Sequence, residues 1–569
     1  MKIRVGVVIA ALTLSFFAPL AHAAIPSVGD PGQSWSLPND GNLGQHIMQF
    51  LDTPPGGNSS YLVDTGREQN TSLDPTCKSA TDTKCNLNQL YFQTQLPQCS
   101  NSTEFNCIED FGLVDANGQK TSAKFARYFP AIAQNQFTGD PSKNIPNGST
   151  ASLYSLPEAL HDGGDKYFVA ATVKGQGSAI SNTISLSSFS VRVYPVKLDP
   201  VTNPCIGKCY EAGYAVVWQN PDGSDRWGHQ GPGYSNGQFC IDQAVLEKLC
   251  AQRYAFPAEK TFFTSVRLKQ QPTGWMHGRL TDPNISISQK NGYSLITIEG
   301  KPIAVPAVYK KYEYTEMPAE LKSLYSVEKG GYAKDFACST PSTTYCAGGR
   351  SGPSPDPLKR NVIIAPEPSS ANGMEQLKYW LPYVGDKASA LLSSWTARTL
   401  SPDETVGANS CFANPNQVTG IVTTNSTQYS AGPPSFDKAN GTLNYQVASP
   451  HFGSKGDVFK GTYDLVMRSE VARCIYGFSK APISATISVI SADGTSQIAT
   501  TVVGEKDGWV YLKAANFEFS APTIKVQLTQ EAPAPVAIPK AASKKITCMK
   551  GKISKVVSTS NCPVGCKKK

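Results

Sequence analysis

Two short segments of the chain gather the residue types that recognise a sugar. Asp225-Arg-Trp227-Gly-His229 and Thr273-Gly-Trp275-Met-His277-Gly-Arg279 each set an indole, an imidazole and a charged group two residues apart among glycines. An indole face can stack on the apolar face of a pyranose while Arg and His hydrogen-bond its hydroxyls. Trp227, His229, Trp275, His277 and Arg279 are therefore the candidate ligand-binding residues. The competing reading makes both tryptophans core residues whose polar neighbours pin loops, and the usual burial of aromatic side chains favours it.

No motif assigns a reaction. His46, His161, His229, His277 and His451 do not fall in the helical spacing of a metalloprotease, and neither a nucleophile elbow nor a phosphate loop is present. Gly348-Gly-Arg-Ser-Gly352 lacks the flanking strand an elbow needs and reads as loop. Asp222 with Asp225, and Asp162 with Asp165, supply too few oxygens in sequence for a calcium site. The expectation is no cofactor, no metal and no catalytic residue. The rival is a secreted hydrolase acting on polysaccharide through the central part of the chain, which needs two carboxylates at a fixed separation in space.

The 15 cysteines are placed for local bridges. Spacing suggests Cys77 with Cys85, Cys99 with Cys107, Cys205 with Cys209, Cys240 with Cys250, Cys338 with Cys346, Cys411 with Cys474 and Cys548 with Cys562, leaving Cys566 odd. Neighbours such as Cys77, Cys85, Cys99 and Cys107 have alternative partners. Zinc would need tighter spacers and nearby histidines. Disulfides imply an oxidising compartment, and the N-terminus agrees. Lys2 and Arg4, the apolar stretch Val5 to Leu20 and the small-x-small box Ala21-His22-Ala23 form the three parts of a secretory signal. No later apolar run reaches the roughly 20 residues of a spanning helix, so no transmembrane helix is expected in the mature chain.

Charge is unevenly placed. The chain of 569 residues carries +8; the leader holds +2, and the nine lysines of residues 540–569, with no acid among them, hold +9, leaving −3 for the body. A nucleic-acid reading would need a basic, aromatic-studded face on the body, and the sequence shows no sign of one, so no nucleic-acid partner is expected. Lys550, Lys552, Lys555, Lys567, Lys568 and Lys569 are the candidate contacts to anionic envelope polymers or glycans, by screened attraction.

Charged residues make up 17% of the chain, while Gly (47) and Pro (41) are plentiful and 40% is hydrophobic. That composition suits an extracellular, mainly β fold: several disulfide-stapled antiparallel β-sandwich (immunoglobulin-like) domains with a few short helices. Behind the signal (1–23), residues 24–76 read as a loosely ordered segment and 77–198 as a sandwich, with clear strands at Tyr167–Val173 and Phe189–Tyr194. Residues 199–365 read as a mixed, mainly β domain with a helix from Ile241 to Tyr254, and 366–400 as a helical connector. In 401–530 the period-2 runs Ile483/Ala485/Ile487/Val489, Trp509 to Lys513, Phe517/Phe519 and Ile524/Val526/Leu528 predict a second, immunoglobulin-like sandwich clamped by Cys411 and Cys474. A Pro/Ala linker (531–545) and a basic Cys-containing tail (546–569) follow.

Val458-Phe-Lys-Gly-Thr-Tyr-Asp-Leu-Val466, Ala472-Arg-Cys-Ile-Tyr-Gly-Phe478, Glu505-Lys-Asp-Gly-Trp509 and Phe517-Glu-Phe-Ser-Ala-Pro-Thr523 resemble a domain of secreted, largely uncharacterised actinobacterial surface proteins. The tail Ile546-Thr-Cys-Met-Lys-Gly-Lys552 with Asn561-Cys-Pro-Val-Gly565 and the terminal lysines resembles the C-terminal motif of that group. The resemblance implies a surface location and no activity. Where the group's tail has an aromatic residue this chain has Cys566, which leaves it either a free thiol or a crosslink between two chains. The expected protein is an exported, cell-surface or wall-associated structural or binding protein, its oligomeric state open.

Overall fold

The computed structural model describes residues 45–50, 60–64, 77–131, 136–200, 215–219, 225–229, 240–324, 348–349, 362–530 and 545–569, with short breaks inside several of these ranges. The signal, Cys205, Cys209, Cys338, Cys346 and nearly all of the 531–545 linker lie outside them. The fold is mainly β, with antiparallel sheets packed face to face and a few short helices such as Ala371–Trp380 and Ser469–Tyr476. No described helix is long and apolar enough to cross a membrane.

The strand Lys166–Gly177 shows why the main sheet forms. Its run from Tyr167 to Val173 is buried on both faces, the mark of a central strand. It pairs along its length with Ser185–Pro200 and, on its other side, with Leu90–Gln95 and Ala151–Ser155. From Ser185–Pro200 the sheet continues through Ala390–Thr399, Gly274–Arg279, Val418–Thr424, Lys460–Arg468 and Trp509–Glu518 to Thr500–Lys506. Only the pairing of Gly274–Arg279 with Val418–Thr424 is parallel along this path.

Two further sheets cover this one. The first runs in the order Thr281–Lys290, Tyr293–Lys301, Thr261–Leu268, Cys107–Val114, Lys120–Ser122. It meets the main sheet through Phe111 and Phe262, whose rings lie against Tyr167, with Tyr154 on Phe111. The second, built on Thr442–Ala448, Thr523–Gln530 and Ile483–Ile490, closes a sandwich over the strands at 418–424, 460–468 and 509–518. In Trp509–Glu518 alternation serves both layers. Trp509 and Tyr511 pack into the first core, and Val510, Leu512 and Ala514 into the second. The two cores are therefore opposite faces of one sheet.

Disulfides join Cys77 to Cys85, Cys99 to Cys107, Cys411 to Cys474 and Cys548 to Cys562, and Cys250 is also disulfide-bonded. Cys411–Cys474 ties the turn Ser410–Phe412 to the helix Ser469–Tyr476 at one end of the sandwich.

Three local readings change. Residues 241–254 form a hairpin, Cys240–Ala244 with Leu249–Arg253, instead of a helix. Lys248 takes the left-handed backbone of the turn, and Leu249–Arg253 pairs with Val196–Pro200. Tertiary pairing overrides a pattern that suits both periods. In the 24–76 segment, Gln45–Phe50 lies between Ile303–Glu313 (antiparallel) and Val362–Ile364 (parallel), with Met48 and Phe50 buried beside Trp380. Tyr61–Asp64 pairs with Leu90–Gln95. The 366–400 connector ends in Ala390–Thr399, a central strand. Strand pairing also crosses the boundaries read from sequence, as when Cys107–Val114 pairs with Thr261–Leu268.

Candidate functional site

Gly274–Arg279 places Trp275, His277 and Arg279 on one face by simple alternation, and that face looks into the sandwich core. Trp275 is 2% exposed and meets Phe412 edge-on at 4.9 Å, so neither indole face is open to a pyranose. His277 lies flat on Tyr429, with ring centres 3.8 Å apart and planes within 1°. Arg279 sets its guanidinium carbon 4.6 Å from the centre of the same ring and donates from Nη1 to the carbonyls of Thr424 (2.9 Å) and Ser426 (2.8 Å). The structure brings these three candidates together, but as a closed stack.

The neighbouring strand completes the stack. Arg398 is paired in register with His277 and holds Glu404 through two bonds of 2.6 Å. Glu404 also accepts the Ser401 amide at 2.9 Å. Burial, reinforced by the charges of Arg279 and Arg398, keeps the His277 ring neutral and its pKa well below the ordinary histidine value. Burial and the charge of Glu404 push the nearby Glu367 carboxyl up, with Arg398 opposing. His277 and Arg279 pack on the Tyr429 ring, while Arg398 binds Glu404 and donates to the Tyr429 hydroxyl at 3.5 Å.

Trp227 and His229 lie on Asp225–His229, in a two-stranded hairpin opposite Val217 and Ala215 of Ala215–Gln219. Their side chains lie outside the described residues, as does Asp222. Asp165 accepts the Ser155 hydroxyl and pairs with Lys166 at 2.8 Å. Among the described residues no group of three His, Cys, Asp or Glu side chains is placed to hold a metal ion.

Sequence reasoning missed Asp464, which faces the seam where Thr281–Lys290 crosses the main sheet. It is 3% exposed and accepts the hydroxyls of Thr281 (2.9 Å) and Thr423 (3.3 Å). Lys513 stands 3.9 Å away and also pairs with Asp282. Burial pushes the Asp464 carboxyl up to about 6, against the pull of Lys513. Nothing in an acid within an alternating strand signals this, because the same pattern serves a solvent-facing position.

The sign of the resulting pH effect is fixed. Between the ordinary carboxylate range and about pH 6, native Asp464 keeps a proton that the unfolded chain has lost, so its contribution to stability falls as pH rises. His277 works in the opposite sense: its depressed pKa costs stability as pH falls below the ordinary histidine value. Asp464→Asn should remove the first effect and stabilise the protein at pH 7.5 by about 1–3 kcal/mol. Denaturant midpoints at pH 5 and pH 7.5 check this; parallel profiles for the variant and the parent would refute it.

The tail forms a separate three-stranded sheet, Ile553–Val557, Ile546–Lys550, Lys567–Lys568, closed by Cys548–Cys562. Lys550, Lys552, Lys555, Lys567, Lys568 and Lys569 are all exposed on it. Cys566, half-buried, is the free cysteine among the described residues.

No protein-family model matches the chain, and no curated protein is significantly similar to it.

Proposed function

We propose that this is an exported cell-surface or wall-associated structural or binding protein, of the kind its resemblance to actinobacterial surface proteins implies, held near an anionic envelope by its basic tail. The observation that carries this reading is the tail itself. Nine lysines and no acid fall within residues 540–569, and the six from Lys550 onward stand exposed on a small sheet with its own disulfide. Each lysine near an anionic surface contributes about 1 kcal/mol, within a screening length of about 8 Å at physiological salt. A β-rich, disulfide-bonded body suits an extracellular setting.

Sedimentation with isolated cell envelopes, with and without residues 540–569 and across a salt series, tests the proposal. Truncation should weaken binding at least about tenfold, and 0.5 M salt should weaken the full chain similarly. Equal binding by both forms would move recognition into the sandwich body. No binding by either would end the surface reading.

A further inference from the structure

We propose that Lys513 and Asp464 are the two ends of an intramolecular amide crosslink that the chain closes on its own, with Asp282 as the proton acceptor.

Three neighbouring strands present the parts in one row. Asp464 stands directly opposite Thr423 on one side and Lys513 on the other, so the three side chains share the face that Thr281–Lys290 crosses. From the crossing strand, Thr281 donates to Asp464 Oδ2 at 2.9 Å and accepts from Lys513 Nζ at 3.1 Å, and Asp282 pairs with the same Nζ. Thr423 also donates to Oδ2, at 3.3 Å. Two hydroxyls thus hold one carboxyl oxygen, while the other, Oδ1, faces the amine at 3.9 Å. Asp282 takes its place with a left-handed backbone, φ +55°, a conformation that costs energy outside glycine. The charged groups facing Asp464 are Lys513 and Asp282. Behind them, Lys301 stands 3.7 Å from Asp282 and 3.4 Å from Glu259.

A salt bridge from Lys513 to Asp282 would need neither a buried second acid nor two hydroxyls on one of its oxygens. Amide formation uses each part. The fixed hydroxyls stabilise the oxyanion that forms on Oδ2 as nitrogen adds to Cγ, and holding the pair in register replaces chemical activation. A carboxylate resists a nucleophile, but burial keeps the Asp464 carboxyl neutral below about pH 6. Asp282 takes one proton from the ammonium, and Nζ attacks Cγ. The N–C bond forms, the Cγ–Oδ1 bond breaks, and Oδ1 leaves as water with its own proton and a second from nitrogen. The third nitrogen proton stays on the amide, and the one on Asp282 passes to solvent. Nothing is oxidised or reduced. The pH dependence derived above for Asp464 is that of the open pair, read before closure.

The test takes full-length protein prepared at pH 7.5, incubates it at pH 5, then reduces it and digests it with trypsin. The open pair yields Gly461–Arg468 and, by cleavage at Lys513, Asp507–Lys513 as separate peptides. After incubation, mass spectrometry should find Gly461–Arg468 joined to Asp507–Lys525, uncut at Lys513 and one water lighter than the two together. Protein held at pH 7.5 should close at least about tenfold more slowly, because the carboxyl is then ionised. Asp282→Asn should slow closure about a hundredfold with both ends in place, and Lys513→Arg should abolish it; circular dichroism verifies that both variants keep the parental fold. The urea-unfolded chain should not close, since the row of side chains is lost. A parent digest fully cut at Lys513 after incubation at pH 5 would overturn the proposal, as would closure in urea or closure of Asp282→Asn at the parental rate.

Discussion

Arg398→Ala should destabilise the protein by about 3–5 kcal/mol, the usual cost of stripping one partner from a buried ion pair. The guanidinium is bound by both oxygens of Glu404, and each side chain is less than one-fifth exposed. Without it Glu404 keeps the Ser401 amide but loses its cation, beside Glu367, whose carboxyl burial already pushes up. Arg398→Met/Glu404→Leu should recover much of the loss, because removing both charges avoids stranding either one. Urea midpoints arranged as a double-mutant cycle measure the coupling, and a single-variant cost below about 1 kcal/mol would show the pair to be effectively solvated. The same variant should raise the depressed His277 pKa, since Arg398 is one of the two cations opposing its protonation. A histidine ring titration by NMR reads that shift.

Trp395→Ala should cost a comparable amount, about 3–5 kcal/mol for a large aromatic side chain removed from a core. The indole is fully buried, and its Nε1 donates to the Gly300 carbonyl at 2.9 Å, linking the main sheet to the sheet that covers it. Its strand is the junction of the fold. Ala390–Thr399 pairs with Ser185–Pro200, with Gly274–Arg279 and with Ile303–Glu313. The loss should therefore appear in one cooperative transition, including hydrogen exchange in Ile483–Ile490 and Thr523–Gln530, far from the substitution in sequence. A variant in which those strands keep their parental protection would show that the sandwich at 401–530 is stable by itself. Trp395→Phe should cost less, since it keeps the ring and loses mainly the bond to Gly300.

The strands were legible where burial is one-sided or continuous. Ile483 and Val489 are buried while Ser484 and Thr486 are exposed, and period-2 reading captures that contrast. Tyr167 to Val173 was legible as an apolar run. Short cysteine spacings confine the local bridges in the same way. Pairing between distant strands was not legible, because side-chain periodicity carries no address. Gln45–Phe50 shows as a small apolar patch, but its partner Ile303–Glu313 comes far later in the chain. At 241–254, Ala244 and Ala251 fit a helix face as well as a strand; their pairing and packing beside Phe168 and Tyr194 decide it. The site behaved likewise. The spacing grouped Trp275, His277 and Arg279 as candidates without placing them on a strand; the structure puts them on one face of Gly274–Arg279, and the strand's neighbours determine that this face is closed.

The parallel pairing of Gly274–Arg279 with Val418–Thr424 bears on how such a protein can be inherited. A sandwich that borrows a strand from before its own first residue cannot be cut out and grafted as a cassette. Trp275 supplies part of its core, so a crossover between residues 279 and 418 would leave one product without that side chain and the other without the space that receives it. Recombination should therefore preserve the body as a single heritable block. Among the described residues the strands of the tail sheet pair only with one another, so that sheet has no such tie and can be exchanged between proteins as a unit.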